Sequence, residues 1–159
     1  MDQHSSQFRL GLAWIGLALA LGLHVVDEAT TGFLAVYNPT VIEARSRWSW
    51  FPMPTFAFND WLFGLIAFVI LLLILSPLAF QNASGIRAIA YLLSGIMLLN
   101  AIGHTLATIA GRTFESIRFH RPAPGFYSSP VLVVASVYLL VQLRRTREAR
   151  SGIAAVGSS

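Results

Sequence analysis

The chain has 159 residues, of which 55% are hydrophobic and 11% charged, and its mean hydropathy is +0.65. A soluble domain carries about 25% charged residues to solvate its surface, so the composition argues against a soluble globular protein and, with so much apolar mass, against a disordered one. The net charge of +4 rests on eleven arginines with no lysine; they are scattered over loops and one tail, which reads as topology signals and lipid-headgroup contacts and not as a nucleic-acid footprint, while the absence of cysteine removes disulfides and thiolate chemistry.

A hydrocarbon core about 30 Å thick takes about 20 apolar residues in a helix. The first such run predicts a span at 8–27. Its start has a rival reading: MDQHSSQFRL followed by an apolar run and Ala18-Leu19-Ala20 also fits a signal peptide cleaved after Ala20, although the run continues to Val26. Loop one, about 29–58, contains the helix-start signal Asn38-Pro39, after which Val41, Ile42, Arg45 and Trp48 are expected on one side of a short interfacial helix. Trp48, Trp50 and Phe51 suit a membrane–water boundary.

A second span, 61–80, follows Asn59-Asp60, and a third, 86–110, is closed by Gly111. Loop three, about 111–129, carries Arg112, Arg118, His120 and Arg121, then RPAPGFYSSP. A fourth span is expected at 126–146, with Ser129 as N-cap and Pro130 at the first helical position. Its apolar run, 130–143, gives only about 21 Å of helix at about 1.5 Å per residue, so Phe126 and Tyr127 are recruited to lengthen it. The last segment, 151–159, reads as a disordered tail. The predicted fold is therefore all-α: one polytopic transmembrane domain over 1–150, a four-transmembrane-helix bundle with a short interfacial helix in the first loop. The cluster Arg144, Arg145, Arg147 and Arg150 places the C-terminus in the cytoplasm, and four spans put the N-terminus beside it.

Ionisable groups in membrane helices are expensive and normally face the bundle interior or a wet cavity. His24, Asp27 and Glu28 close the first span with i, i+3 and i+4 spacing. Gly16 and Ala20 precede His24 on the same stripe, which predicts that this stripe packs inward against another helix. In the third span Asn100, His104 and Thr108 follow at i+4 intervals, and Gly103 and Ala107 add a small-residue edge. Spans one and three run in the same direction, so both polar patches should lie at one depth, with His24 and His104 within about 10 Å at about 1.5 Å rise per residue. Glu28, one turn beyond His24, is assigned to the inner site. Asp27, about 100° round the helix, is assigned to its edge. Taken singly, each histidine also reads as an interhelical hydrogen-bond donor, Asn100 as interhelical glue, and His120 as a solvated loop residue.

These residues resemble the HXXEE family of small bacterial integral membrane proteins. The resemblance rests on H-V-V-D-E at 24–28, the second His in N-A-I-G-H at 100–104, and P-A-P-G at 122–125. It implies a multi-pass protein of the bacterial inner membrane, with His24, Asp27 and Glu28 at the motif positions, His104 as the second histidine and Pro124-Gly125 ending a Y-x-P-G motif. Asp27 replaces the first Glu and Pro122 replaces the Tyr. The family carries no assigned biochemical function.

Three readings of the site follow. The first is an enzyme acting on a lipid-like substrate, with His24, Glu28, His104 and Asp27 as an acid–base set and Arg112, Arg118 and Arg121 holding an anionic headgroup. The second makes His24, Glu28 and His104 ligands of Zn or Fe, with Asn100 and Thr108 behind them. The third is a non-catalytic accessory or transport subunit that relays protons or binds a partner helix. Membrane lipids are the expected surroundings, with an oligomer or larger membrane complex needed for transport.

Overall fold

The computed structural model describes residues 3–156, with side chains described for 4–147. These residues form six helices and a two-stranded sheet: α1 Gln3–Thr31, α2 Phe33–Arg47, α3 Phe58–Ile74, α4 Ser76–Phe80, α5 Ser84–Ala110, β1 Arg112–Phe114, β2 Ile117–Arg118 and α6 Ser129–Val156. The protein is thus helical, and two helices, His4–Thr31 and Ser84–Ala110, are long and apolar enough to cross a membrane.

Several elements differ from the sequence reading, each for a local reason. The expected 61–80 helix is broken into α3 and α4. Pro77 lacks an N–H and its ring crowds the carbonyl one turn back, so the helix resets at Ser76. The helix expected in loop one starts at Phe33, after Gly32 at φ 79°, and carries Pro39 in its interior. Thr40 Oγ1 donates to Val36 O at 2.7 Å beside the missing proline N–H. Asn38 caps nothing in α2; its side chain donates to Phe56 O at 2.9 Å and accepts from Phe56 N at 3.0 Å. Val41 is 2% exposed and Ile42 62%, so these neighbours do not share a side; successive helical residues point about 100° apart.

Loop three contains the β1–β2 hairpin, pairing Arg112 with Arg118 and Phe114 with Ile117. α6 begins at Ser129, so Phe126 and Tyr127 remain in the preceding turn. It continues to Val156, through most of the segment read as a disordered tail. The Arg150 side chain and residues 157–159 of that tail lie outside the described residues.

The core lies where α6 packs along both α1 and α5, while α1 also packs on α3 and α4. Leu132, Ser136, Leu139 and Leu143, spaced by three and four, form the buried stripe of α6. They meet Leu17 and Leu21 of α1 and Ala90, Leu93 and Ala101 of α5. Because α6 lies against both, α1 and α5 touch directly only over a short stretch. The small-residue stripe of α1 is buried at Ala20, but Gly16 is exposed with no neighbour within 4 Å of a Cβ placed there. Small residues permit close approach without enforcing it. Outward faces carry large apolar side chains, with Phe63 76%, Leu99 72% and Val134 69% exposed.

Gly11 is where α1 meets α4: a Cβ there would stand 2.2 Å from the Phe80 ring. Gly11→Ala should therefore lower stability in detergent by about 1–3 kcal/mol through overpacking, and Gly11→Ala with Phe80→Ala should recover most of it. Thermal unfolding followed by circular dichroism measures both; an unchanged midpoint in Gly11→Ala would contradict the contact.

Candidate metal and acid–base site

Where α1 and α5 approach, His24, Glu28 and His104 are 1%, 5% and 7% exposed. His24 and Glu28 stand one turn apart on α1, and His104 faces them from α5. The two imidazoles meet edge-on, with ring centroids 4.9 Å apart and planes at 68°. Glu28 Oε1 lies 3.1 Å from His104 Nε2 and 3.4 Å from His24 Nε2. One ligand-capable atom from each of the three residues falls within 4.8 Å of the others. His104 Nε2 is close to Glu28 but has no hydrogen bond of good geometry, so it is a buried polar atom without a satisfying partner.

A second set of bonds fixes His24. Its Nδ1 is 2.7 Å from Ser128 Oγ, and Ser128 Oγ donates to Asp27 Oδ2 at 2.8 Å, as does Ser128 N at 2.8 Å. Serine has one hydroxyl proton. With that proton on the Asp27 carboxylate, Ser128 Oγ accepts from His24 and the ring carries hydrogen on Nδ1. Nε2 then faces the site and accepts from Asn100 Nδ2 at 2.8 Å. The result is one directed chain: Asn100, His24, Ser128, Asp27.

The two acids thus take different places. Glu28 sits between the rings, and Asp27 turns to the loop before α6. Thr108 touches neither ring; its hydroxyl donates to His104 O at 2.8 Å and accepts from Ala123 N at 2.9 Å, tying the 122–125 segment to α5. Gly125, at φ 81°, presses against His104: a Cβ there would lie 2.7 Å from Cε1. A side chain at this position would be both strained and obstructed. Thr31 adds a bond from α1, its Oγ1 accepting from Gly125 N at 3.3 Å.

A cavity of about 220 Å³ adjoins the cluster on the α5 side. His104 and Asn100 line its inner wall, and Phe33 and Tyr37 of α2, Gly103 and Ala107 of α5 and Pro124 surround it. The Phe33 ring lies tilted against both His104, with centroids 5.8 Å apart, and Tyr37, at 5.2 Å. Partial burial pushes the Tyr37 phenol above its ordinary value, against the opposing pull of Arg45, so it keeps its proton and donates to Pro54 O at 3.0 Å. Arg112 and Arg118 both pair with Glu115 across the hairpin, and the Arg121 guanidinium lies against Gly111. None of these three arginines lines the cavity.

Ser128 is the site residue that the sequence reading missed. It stands among ordinary turn residues in GFYSSP, and nothing in its spacing connects it to a histidine 104 positions earlier. No protein-family model, curated protein or solved structure matches the chain.

The bond pattern predicts that ¹⁵N NMR of histidine-labelled protein shows His24 protonated at Nδ1 and bare at Nε2. Ser128→Ala should abolish that preference while the helical signature persists. A His24 ring protonated only at Nε2 in the wild type would refute the chain.

Proposed function

We propose that the protein is a multi-pass membrane enzyme of the HXXEE type, in which His24, Glu28 and His104 hold a divalent metal ion, Zn or Fe, for chemistry on a lipid-like substrate. The observation that carries this reading is the convergence of three ligand-capable atoms. A carboxylate oxygen and two ring nitrogens lie 3.1 and 3.4 Å apart in a buried place. Lone pairs cannot face one another at such distances without a positive centre among them, either a proton or a cation. Ligands about 2.0–2.1 Å from a tetrahedral metal are separated by about 3.3 Å, which both distances approach. Two histidines and one carboxylate leave a coordination position for water or substrate, the composition of catalytic zinc sites and of mononuclear iron sites.

The Asp27–Ser128–His24 chain supports the same reading. Histidine ligands are commonly held through their other nitrogen by a carboxylate-linked partner, which fixes the tautomer and aims the ring. The amide of Asn100 covers the Nε2 that the cation would take, so it is the group that must yield on binding. When bound, a metal would polarise a substrate oxygen or activate a water. The protein's residues supply the dry setting, the orientation of both rings and a route for a proton from His24 through Ser128 to Asp27. That same route is what favours the second reading, a non-catalytic proton-relaying subunit working in an oligomer or larger complex.

The membrane arrangement belongs to the proposal. α1, α3 with α4, α5 and α6 make four spans in a bacterial inner membrane, with both arginine-bearing termini in the cytoplasm. Exposed apolar side chains on all four support it. The 122–125 segment packing on His104 brings together the three motifs on which the family resemblance rests.

Metal analysis of purified protein tests the reading. The wild type should carry about one equivalent of Zn or Fe, and Glu28→Gln and His24→Ala should carry none while still inserting as helical protein. Asp27→Asn and Ser128→Ala should retain metal with affinity lower by about 10–100-fold. Wild-type protein that binds neither ion, or Asp27→Asn losing metal while Glu28→Gln keeps it, would overturn the assignment. For orientation, Ser49→Cys should react with an impermeant maleimide added outside intact cells; labelling only after lysis would reverse it.

A further inference from the structure

We infer that the cavity beside His104 binds one uncharged single-chain or single-ring amphiphile, such as an alcohol, aldehyde or ketone, which enters from the hydrocarbon and presents its oxygen to His104 and Asn100. This rests on the proposed site and names what reaches it.

Size comes first. An apolar cavity of about 150 Å³ takes up benzene, so about 220 Å³ admits a ring or short chain segment but not a two-chain lipid. Chemistry comes second. The walls are mainly apolar, and their polar side chains are His104, Asn100, Tyr37, Thr40 and Thr113. Tyr37 is engaged with Pro54 O, and Thr40 and Thr113 share a 2.6 Å hydrogen bond. What remains for a ligand is the His104 ring and the part of the Asn100 amide not bonded to His24, its Oδ1 and second N–H. A neutral oxygen suits them. An anionic headgroup would meet the Glu28 carboxylate behind His104, while Arg112 and Arg118 are paired with Glu115 away from the cavity.

The way in comes third. Thr40 and Thr113 close the side between α2 and β1. On the α5 side the rim is formed by Leu99, 72% exposed, and exposed Gly103, on the face that also presents Ile96, Ile102 and Leu106 outward. The opening therefore looks onto the apolar exterior. No atom lies within 4 Å of where a Gly103 Cβ would stand, so this glycine leaves space that no neighbour fills. A larger side chain at position 103 would stand in that space at the cavity rim.

The experiment uses the full chain in phosphatidylcholine nanodiscs and an octanol carrying a terminal diazirine. Adducts should concentrate on peptides covering 33–40 and 99–107 and be competed by plain octanol but not by glycerol phosphate. Gly103→Leu should reduce them about tenfold, as loss of about 1.4 kcal/mol of binding would, and Ala107→Leu should do likewise. Gly95→Leu, equally unobstructed but off the cavity, should leave them unchanged. Labelling spread evenly over α3, α5 and α6, labelling unaffected by both cavity substitutions, or competition by glycerol phosphate would each overturn the inference. Metal content of the same samples is a separate readout: a metal-free wild type refutes the metal reading, whereas retained metal with unspecific labelling refutes the cavity reading alone.

Discussion

Glu28 brings a carboxylate into the interior of a chain that has little else to solvate it, and the two imidazoles are its only close polar company among the described residues. Buried charge left unpaired is costly, and removing one member of a buried pair typically costs about 3–5 kcal/mol. The surrounding architecture follows from that constraint. α1 and α5 must meet at this point, though α6 packs along both of them. His104 must be held in place, which Gly125 and the Thr108–Ala123 bond do from one side and the Phe33 ring from another.

The two adjacent acids show how one helix turn can serve two tasks. A step of about 100° sends Glu28 toward α5 and Asp27 toward the turn before α6. Asp27 never meets the second imidazole; it acts on His24 through one serine hydroxyl, with the Ser128 amide as a second donor. His24 is thereby gripped at both nitrogens, whereas His104 has a nitrogen without a satisfying bond. That asymmetry distinguishes the two rings, and of the two it is His104 that lines the cavity.

The inner cluster was legible because helical periodicity is a local rule. The i+4 spacing of His24 and Glu28 fixes their shared face, and two co-directional helices of similar length bring His104 to the same depth. Loops follow no such rule. Ser128 joins the site through a turn whose path depends on the β1–β2 hairpin and Gly125, and short strands such as Arg112–Phe114 leave little pattern. Pro77 is a readable break inside a strongly apolar run, and Pro39 a readable start that the chain places within a helix already begun at Phe33. Charge alone makes the loop arginines read as a converging anion site; Glu115 draws Arg112 and Arg118 to the hairpin instead.

The Asp27–Ser128 link spans 101 residues and the His24–Ser128 link 104. At about 5–20 residues per second, a ribosome needs on the order of 5–20 seconds to supply Ser128 after making Asp27. Through that interval α1 holds a histidine and two acids whose native neighbours have yet to be synthesised. The site is therefore assembled late: a chain that stops short of Ser128 leaves Asp27 and His24 Nδ1 without the hydroxyl they share.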